Sequence, residues 1–97
     1  MLERIVEVLA PMQVWLFGSR ARGTSGDDSD WDLLAVLPDD APDQRLDIAR
    51  VWGDLRDLRR QRVEVFPMRR RDFDLTSAVA GELAETVVRE GRVVYGG

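Results

Sequence analysis

The sequence predicts an α/β fold: a small mixed β-sheet with helices packed against it. Three observations carry this expectation. Apolar residues recur at helical spacing near both ends and in the middle, short β-branched and aromatic runs lie between them, and Gly or Pro closes most segments. Leu2, Ile5, Val6 and Leu9 form one stripe of a first helix that Pro11 cannot continue, so it ends near Ala10. Gln13 to Phe17 reads as a strand halted by Gly18, followed by a short helical segment, Arg20-Ala21-Arg22-Gly23. Residues 24 to 30, Thr-Ser-Gly-Asp-Asp-Ser-Asp, form a polar loop, and Trp31 to Leu37 is a largely buried strand closed by Pro38 and Asp39. Ile48, Val51, Trp52, Leu55 and Leu58 predict one helix from about Pro42 to Arg60, with Gly53 a weak point. Arg62 to Phe66 is a third strand. Beyond Pro67, Asp72 or Asp74 can cap a last helix whose Leu75, Val79, Leu83 and Val87 share a face and which Gly91 ends. Arg92 to Tyr95 adds a final short strand.

The 97 residues are read as a single domain over 1–97, able to bury one core and too short for a separate substrate-binding domain. Apolar residues at 44% and charged residues at 33% suit a soluble globular protein, and no apolar run approaches the ~20 residues of a membrane helix. The opening Met1-Leu2-Glu3-Arg4 enters an amphipathic pattern directly, unlike a secretory leader, so a cytoplasmic location without membrane attachment is expected. With neither Cys nor His, thiolate nucleophiles, histidine bases and the usual zinc sites are excluded, which leaves the chemistry to carboxylates. A net charge of −4 speaks against tracking a long polyanion, so direct binding to nucleic acid is not expected. Every basic residue is Arg; genomic composition or a demand for bidentate phosphate contacts would both account for that.

Asp30 and Asp32 stand at i and i+2 where a strand begins, which puts both carboxylates on one face with Trp31 on the other. Such a pair repels itself unless a hard cation such as Mg²⁺ lies between, although a solvated strand end has the same appearance. Glu64, between Val63 and Val65, shares a strand face with Arg62 and Phe66; it would join the pair as a third carboxylate if strand three lies beside strand two. An exposed alternating position on an edge strand is the other reading of Glu64. Gly18-Ser19, between a strand and a helical segment, offers a sharp bend, amides and a hydroxyl for phosphate oxygens, though a Gly-Ser turn alone is usually only a turn. Arg20 and Arg22 could clamp phosphate or simply face solvent.

Taken together, Phe17-Gly18-Ser19-Arg20-Ala21-Arg22-Gly23 and Ser29-Asp30-Trp31-Asp32-Leu33 carry Gly-Ser, ten residues, then Asp-x-Asp. This resembles the signature of nucleotidyltransferases related to DNA polymerase beta, and the small size and closing Val88-Arg89-Glu90-Gly91-Arg92-Val93-Val94-Tyr95 resemble its minimal members. The resemblance implies the polymerase beta palm-like fold. It implies that Gly18 and Ser19 contact the triphosphate and that Asp30 and Asp32, with Glu64 in the third place, bind two Mg²⁺ ions and carry catalysis. The family commonly has Asp in that third place, so Glu64 is a departure. The minimal members resemble antitoxins of type VII-like toxin-antitoxin pairs, which implies transfer of AMP from ATP to a tyrosine of a HEPN-type ribonuclease toxin. Neutralisation of the toxin by binding alone is the competing expectation. The arginine-rich stretch Arg56, Arg59, Arg60, Arg62, Arg69, Arg70 and Arg71 could meet an acidic partner or RNA, or form a solvated, ion-paired surface.

Overall fold

The computed structural model describes residues 1–23 and 30–96. The loop expected over 24–30 therefore lies, up to Ser29, outside the described residues. Helix α1 (Leu2–Leu9) buries Ile5 and Leu9 and stops at Ala10, whose left-handed φ of 47° turns the chain into Pro11. Strand β1 (Gln13–Phe17), helix α2 (Ser19–Arg22) and strand β2 (Trp31–Leu37) follow. Five consecutive residues of β2, Leu33 to Leu37, are buried, as the apolar run predicted for a strand covered on both faces.

The sheet order is β3-β2-β1-β4, with β3 at Val63–Arg69 and β4 at Arg92–Tyr95. β1 is antiparallel to both β2 and β4, whereas β2 and β3 are parallel, so the sheet is mixed as expected. Val14, Leu16, Leu33, Ala35, Leu37, Val63 and Val65 face α1 and the 41–58 segment. Their alternates Phe17, Leu34 and Val36 face Phe73, Ala84 and Val87 on the other side. The result is a sheet between two helical layers. Among the described residues no helix is long and apolar enough to cross a membrane.

Two helices predicted as continuous are broken. The 42–60 helix is a 3₁₀ turn (Asp43–Leu46), then α3 (Ile48–Asp54) and α4 (Arg56–Arg59). Asp47 restarts the helix by capping it, Oδ1 accepting from the Ala49 and Arg50 amides at 3.0 and 3.3 Å. Ile48 is consequently exposed in the first turn, while Val51, Leu55 and Leu58 reach the core. The last helix is α5 (Arg70–Thr76) and α6 (Leu83–Glu90), separated by 77–82. The single face expected for Leu75, Val79, Leu83 and Val87 does not form: Leu75 is 72% and Val79 48% exposed, and Phe73 fills the core instead. The Thr76 and Ser77 hydroxyls donate to the carbonyls of Asp72 and Asp74, so side chains take over helix-end acceptors where the periodicity implied more helix. Neither Asp72 nor Asp74 caps α5; the capping position is Arg69, without a side-chain bond.

β3 also differs from expectation at both ends. Arg62 has φ 61° and precedes the strand, so it does not share a strand face with Glu64. The strand continues through Pro67 to Arg69, tolerated because β3 is an edge strand whose Pro67 needs to give no amide to a further neighbour. Trp52 covers that edge, its indole N–H donating to the Val65 carbonyl at 2.9 Å and its ring meeting Phe66 edge-on at 6.0 Å.

Much of the arginine-rich stretch is structural. Arg69 Nη2 donates to the Ala41 carbonyl and to Asp43 Oδ1 at 2.9 and 2.6 Å, tying the 41–43 segment to β3. Arg70 bonds Asp74 and Gln13, and Arg59 stacks on Trp52 at 4.1 Å.

The α6–β4 junction depends on Gly91. A Cβ there would lie 2.6 Å from the Val87 carbonyl oxygen and 2.7 Å from that of Leu16, both backbone atoms. Gly91→Ala is therefore expected to cost about 1–3 kcal/mol through overpacking. Its midpoint in urea should drop relative to Gly53→Ala, where a new Cβ meets nothing within 4 Å among the described residues.

Candidate functional site

Strand register assembles the site. Phe17, the last residue of β1, is paired with Asp32, and Asp32 is paired directly with Glu64 across the parallel β2–β3 ladder. β1 ends where β2 and β3 begin, so Gly18-Ser19, Asp30, Asp32 and Glu64 collect at one end of three neighbouring strands. Asp32 and Glu64 lie on the sheet face that carries Phe17, Leu34 and Phe66, whereas Trp31 and Val63 face the opposite side. The Phe17 and Phe66 rings, 6.1 Å apart, form an apolar floor beside the two carboxylates. Asp30 is exposed, one residue outside the strand, while Asp32 and Glu64 are half-buried.

This setting raises the Asp32 carboxyl above its ordinary value. Burial is the largest cause, followed by the negative charges of Glu64 and Asp30; the Arg22 guanidinium acts in the opposite direction. The corner is thus a half-desolvated collection of like charges that a hard cation would relieve. Among the described residues no group of three carboxylates is drawn together closely enough to hold a metal ion as the side chains stand.

Gly18 is required by position and by conformation. Its φ of 77° and ψ of −160° belong to a region essentially reserved for Gly. A Cβ on it would lie 2.5 Å from Asp32 Oδ2, so the turn passes directly over the carboxylate. Its carbonyl accepts from the Ala21 and Arg22 amides at 3.1 and 3.2 Å, which starts α2 at Ser19 without an intervening residue. Ser19 is thereby held next to the acidic corner.

The two arginines of α2 part company. Arg20 stacks its guanidinium over Trp31 at 4.1 Å, and Trp31 belongs to the face opposite Asp32. Arg22 is nearer the chemistry: its charge acts on Asp32, and its Nη1 lies 3.6 Å from Glu90 Oε1 at the end of α6. Glu90 was not singled out by sequence pattern. The available signal was an acidic residue in the last helical turn, where the helix dipole favours a base.

A family model described as polymerase beta, nucleotidyltransferase, matches residues 3–97. The fold is similar to a crystal structure of a toxin-antitoxin with AMP-PNP, with TM-score 0.60 and 20% identity over 98% of this chain and 73% of that one. It is also similar to a structure from Sulfolobus solfataricus described as a candidate nucleotidyltransferase, with TM-score 0.61 and 21% identity over 97% of this chain and 75% of that one. No curated protein matches the sequence. With its mixed four-stranded sheet and a family match along almost its whole length, the chain belongs to the polymerase beta family of nucleotidyltransferases.

Proposed function

We propose that this nucleotidyltransferase moves AMP from ATP to a tyrosine of a HEPN-type toxin, acting as the antitoxin of a type VII-like pair in the cytoplasm. The observation that carries the site is the direct pairing of Asp32 with Glu64 beneath a glycine that leaves no room for a Cβ. The toxin-antitoxin neighbour with AMP-PNP supports the partner and the nucleotide.

Asp30, Asp32 and Glu64 offer only hard oxygen donors, and the burial of Asp32 together with the charges of Glu64 and Asp30 beside it suits them to two Mg²⁺ ions. Bound there, the ions would supply charge neutralisation as pyrophosphate departs. The Gly18 turn brings its backbone close against Asp32, and Ser19 and Arg22, on the helix that begins there, would receive the triphosphate oxygens; Arg20, engaged with Trp31, takes a supporting part. The tyrosine oxygen attacks the α-phosphorus in line, the bond to the β-phosphate bridging oxygen breaks, and pyrophosphate carries away the electron pair. Glu64, level with Asp32 on the neighbouring strand, receives the tyrosine proton.

The test is to incubate the chain with ATP, Mg²⁺ and the protein encoded by the adjacent gene, then weigh that protein. A mass gain of one AMP, located on tyrosine, is expected. A tight complex with no gain would assign neutralisation to binding alone.

A further inference from the structure

Glu90 is an acidic residue in the last turn of α6, where the carbonyl ends of the helix repel negative charge. Its Oε1 lies 3.6 Å from Arg22 Nη1 and 3.8 Å from Arg89 Nη1. The Arg22–Glu90 pair is partly open to water, so its contribution to stability is small. Packing nevertheless fixes the end of α6 that carries Glu90. Gly91, the next residue, is pressed against the Leu16 carbonyl and the Phe17 side chain, immediately before the Gly18 turn. The end of α6 is thus anchored on the strand that leads into the site, and Glu90 reaches from that anchor to α2.

We infer that Glu90 is a positioning residue that engages Arg22 and restrains its guanidinium from neutralising the Asp32 carboxylate, which keeps the acidic corner available to a divalent cation. Among the described residues, the Asp32 carboxylate is the other negative group on which the charge of Arg22 acts, so loss of Glu90 leaves Arg22 drawn toward it. An arginine paired with it competes with the incoming cation for the same oxygens. With Glu90 present, Arg22 has a partner outside the cation site and can exchange it for a triphosphate oxygen once nucleotide arrives.

This inference rests on the metal site proposed above, and a binding measurement separates the two. Mn²⁺ is titrated into the protein alone, free ion being read by electron paramagnetic resonance, for wild type, Asp32→Asn, Glu90→Gln, Arg22→Gln and the Arg22→Gln/Glu90→Gln double variant. Glu90→Gln is expected to weaken Mn²⁺ binding roughly fivefold, the scale of one partly screened charge interaction. The Glu90 substitution should have no further effect once Arg22 is Gln. A loss that persists undiminished in the Arg22→Gln background belongs to the charge of Glu90 itself and overturns the inference, as does wild-type affinity in Glu90→Gln. Absence of Mn²⁺ binding by wild type, with Asp32→Asn indistinguishable from it, overturns the site and this inference together.

Discussion

Asp32→Asn is expected to reduce nucleotidyl transfer by roughly 10²–10³-fold or more, the scale seen when a group stabilising transition-state charge is lost. Asp32 is the middle of the proposed constellation, paired with Glu64 in the ladder, overlain by Gly18 and two residues from Asp30. Asn keeps its shape and removes its charge. The same substitution should stabilise the metal-free protein at neutral pH, because the raised carboxyl marks a charge the fold holds at a cost. The sign follows from the direction of the shift. Below the ordinary carboxyl value of 3.8 the group is protonated in both folded and unfolded chains and carries no charge penalty. As pH rises through the raised folded value, the folded chain gives up its proton later than the unfolded one and wild type loses stability that Asn retains. Thermal midpoints of the two proteins in chelator should therefore converge in acid and separate toward pH 7, with the variant higher. A variant that is inactive and less stable at pH 7 would indicate a damaged fold and remove the assignment.

Gly18→Ala is the second large effect. The methyl group is forced into a backbone region that costs a non-Gly residue about 1–3 kcal/mol, and it lands 2.5 Å from Asp32 Oδ2. Relief requires Asp32 to swing aside or the turn to lift, either of which separates the carboxylate from Ser19. Transfer is expected to fall roughly 10²-fold, the penalty of an ångström-scale misplacement of reacting groups. The midpoint of thermal unfolding should also fall, by about 4–8 °C per kcal/mol for a chain of this size. Gly23→Ala is the control: its φ of +72° imposes a backbone cost, but among the described residues nothing lies within 4 Å of the new Cβ. Equal losses of transfer in the two variants would show that strain, and not contact with Asp32, is responsible.

Local rules made part of this molecule legible. β1 over Gln13–Phe17, β2 over Trp31–Leu37 and β4 over Arg92–Tyr95 begin and end where side-chain chemistry and Gly or Pro placed them. Asp30 and Asp32 could be assigned to one face because alternation is a property of a single strand. The same reasoning overreached where a periodic pattern was longer than the helix it described. Leu75 and Val79 are at helical spacing from Leu83 and Val87, yet the chain leaves the helix at Thr76 and those two side chains meet water. At Asp47, a cap within the expected helix decided where α3 starts.

The arginines divide along the same line. Composition showed a basic stretch, but whether Arg69 meets a partner or the chain's own Ala41 and Asp43 depends on segments more than twenty residues apart being brought together. The sequence by itself determined the residue types of the site, the Gly-Ser spacing to Asp30 and Asp32, and the strand that carries Glu64. Tertiary structure alone decided that Glu64 stands level with Asp32, that Gly18 lies against that carboxylate, and that Arg22 meets Glu90. The reason is the range of the forces involved. Alternation, capping and turn preference act over a few residues, whereas parallel register and the seating of α6 on β1 follow from burying two faces of one sheet at once.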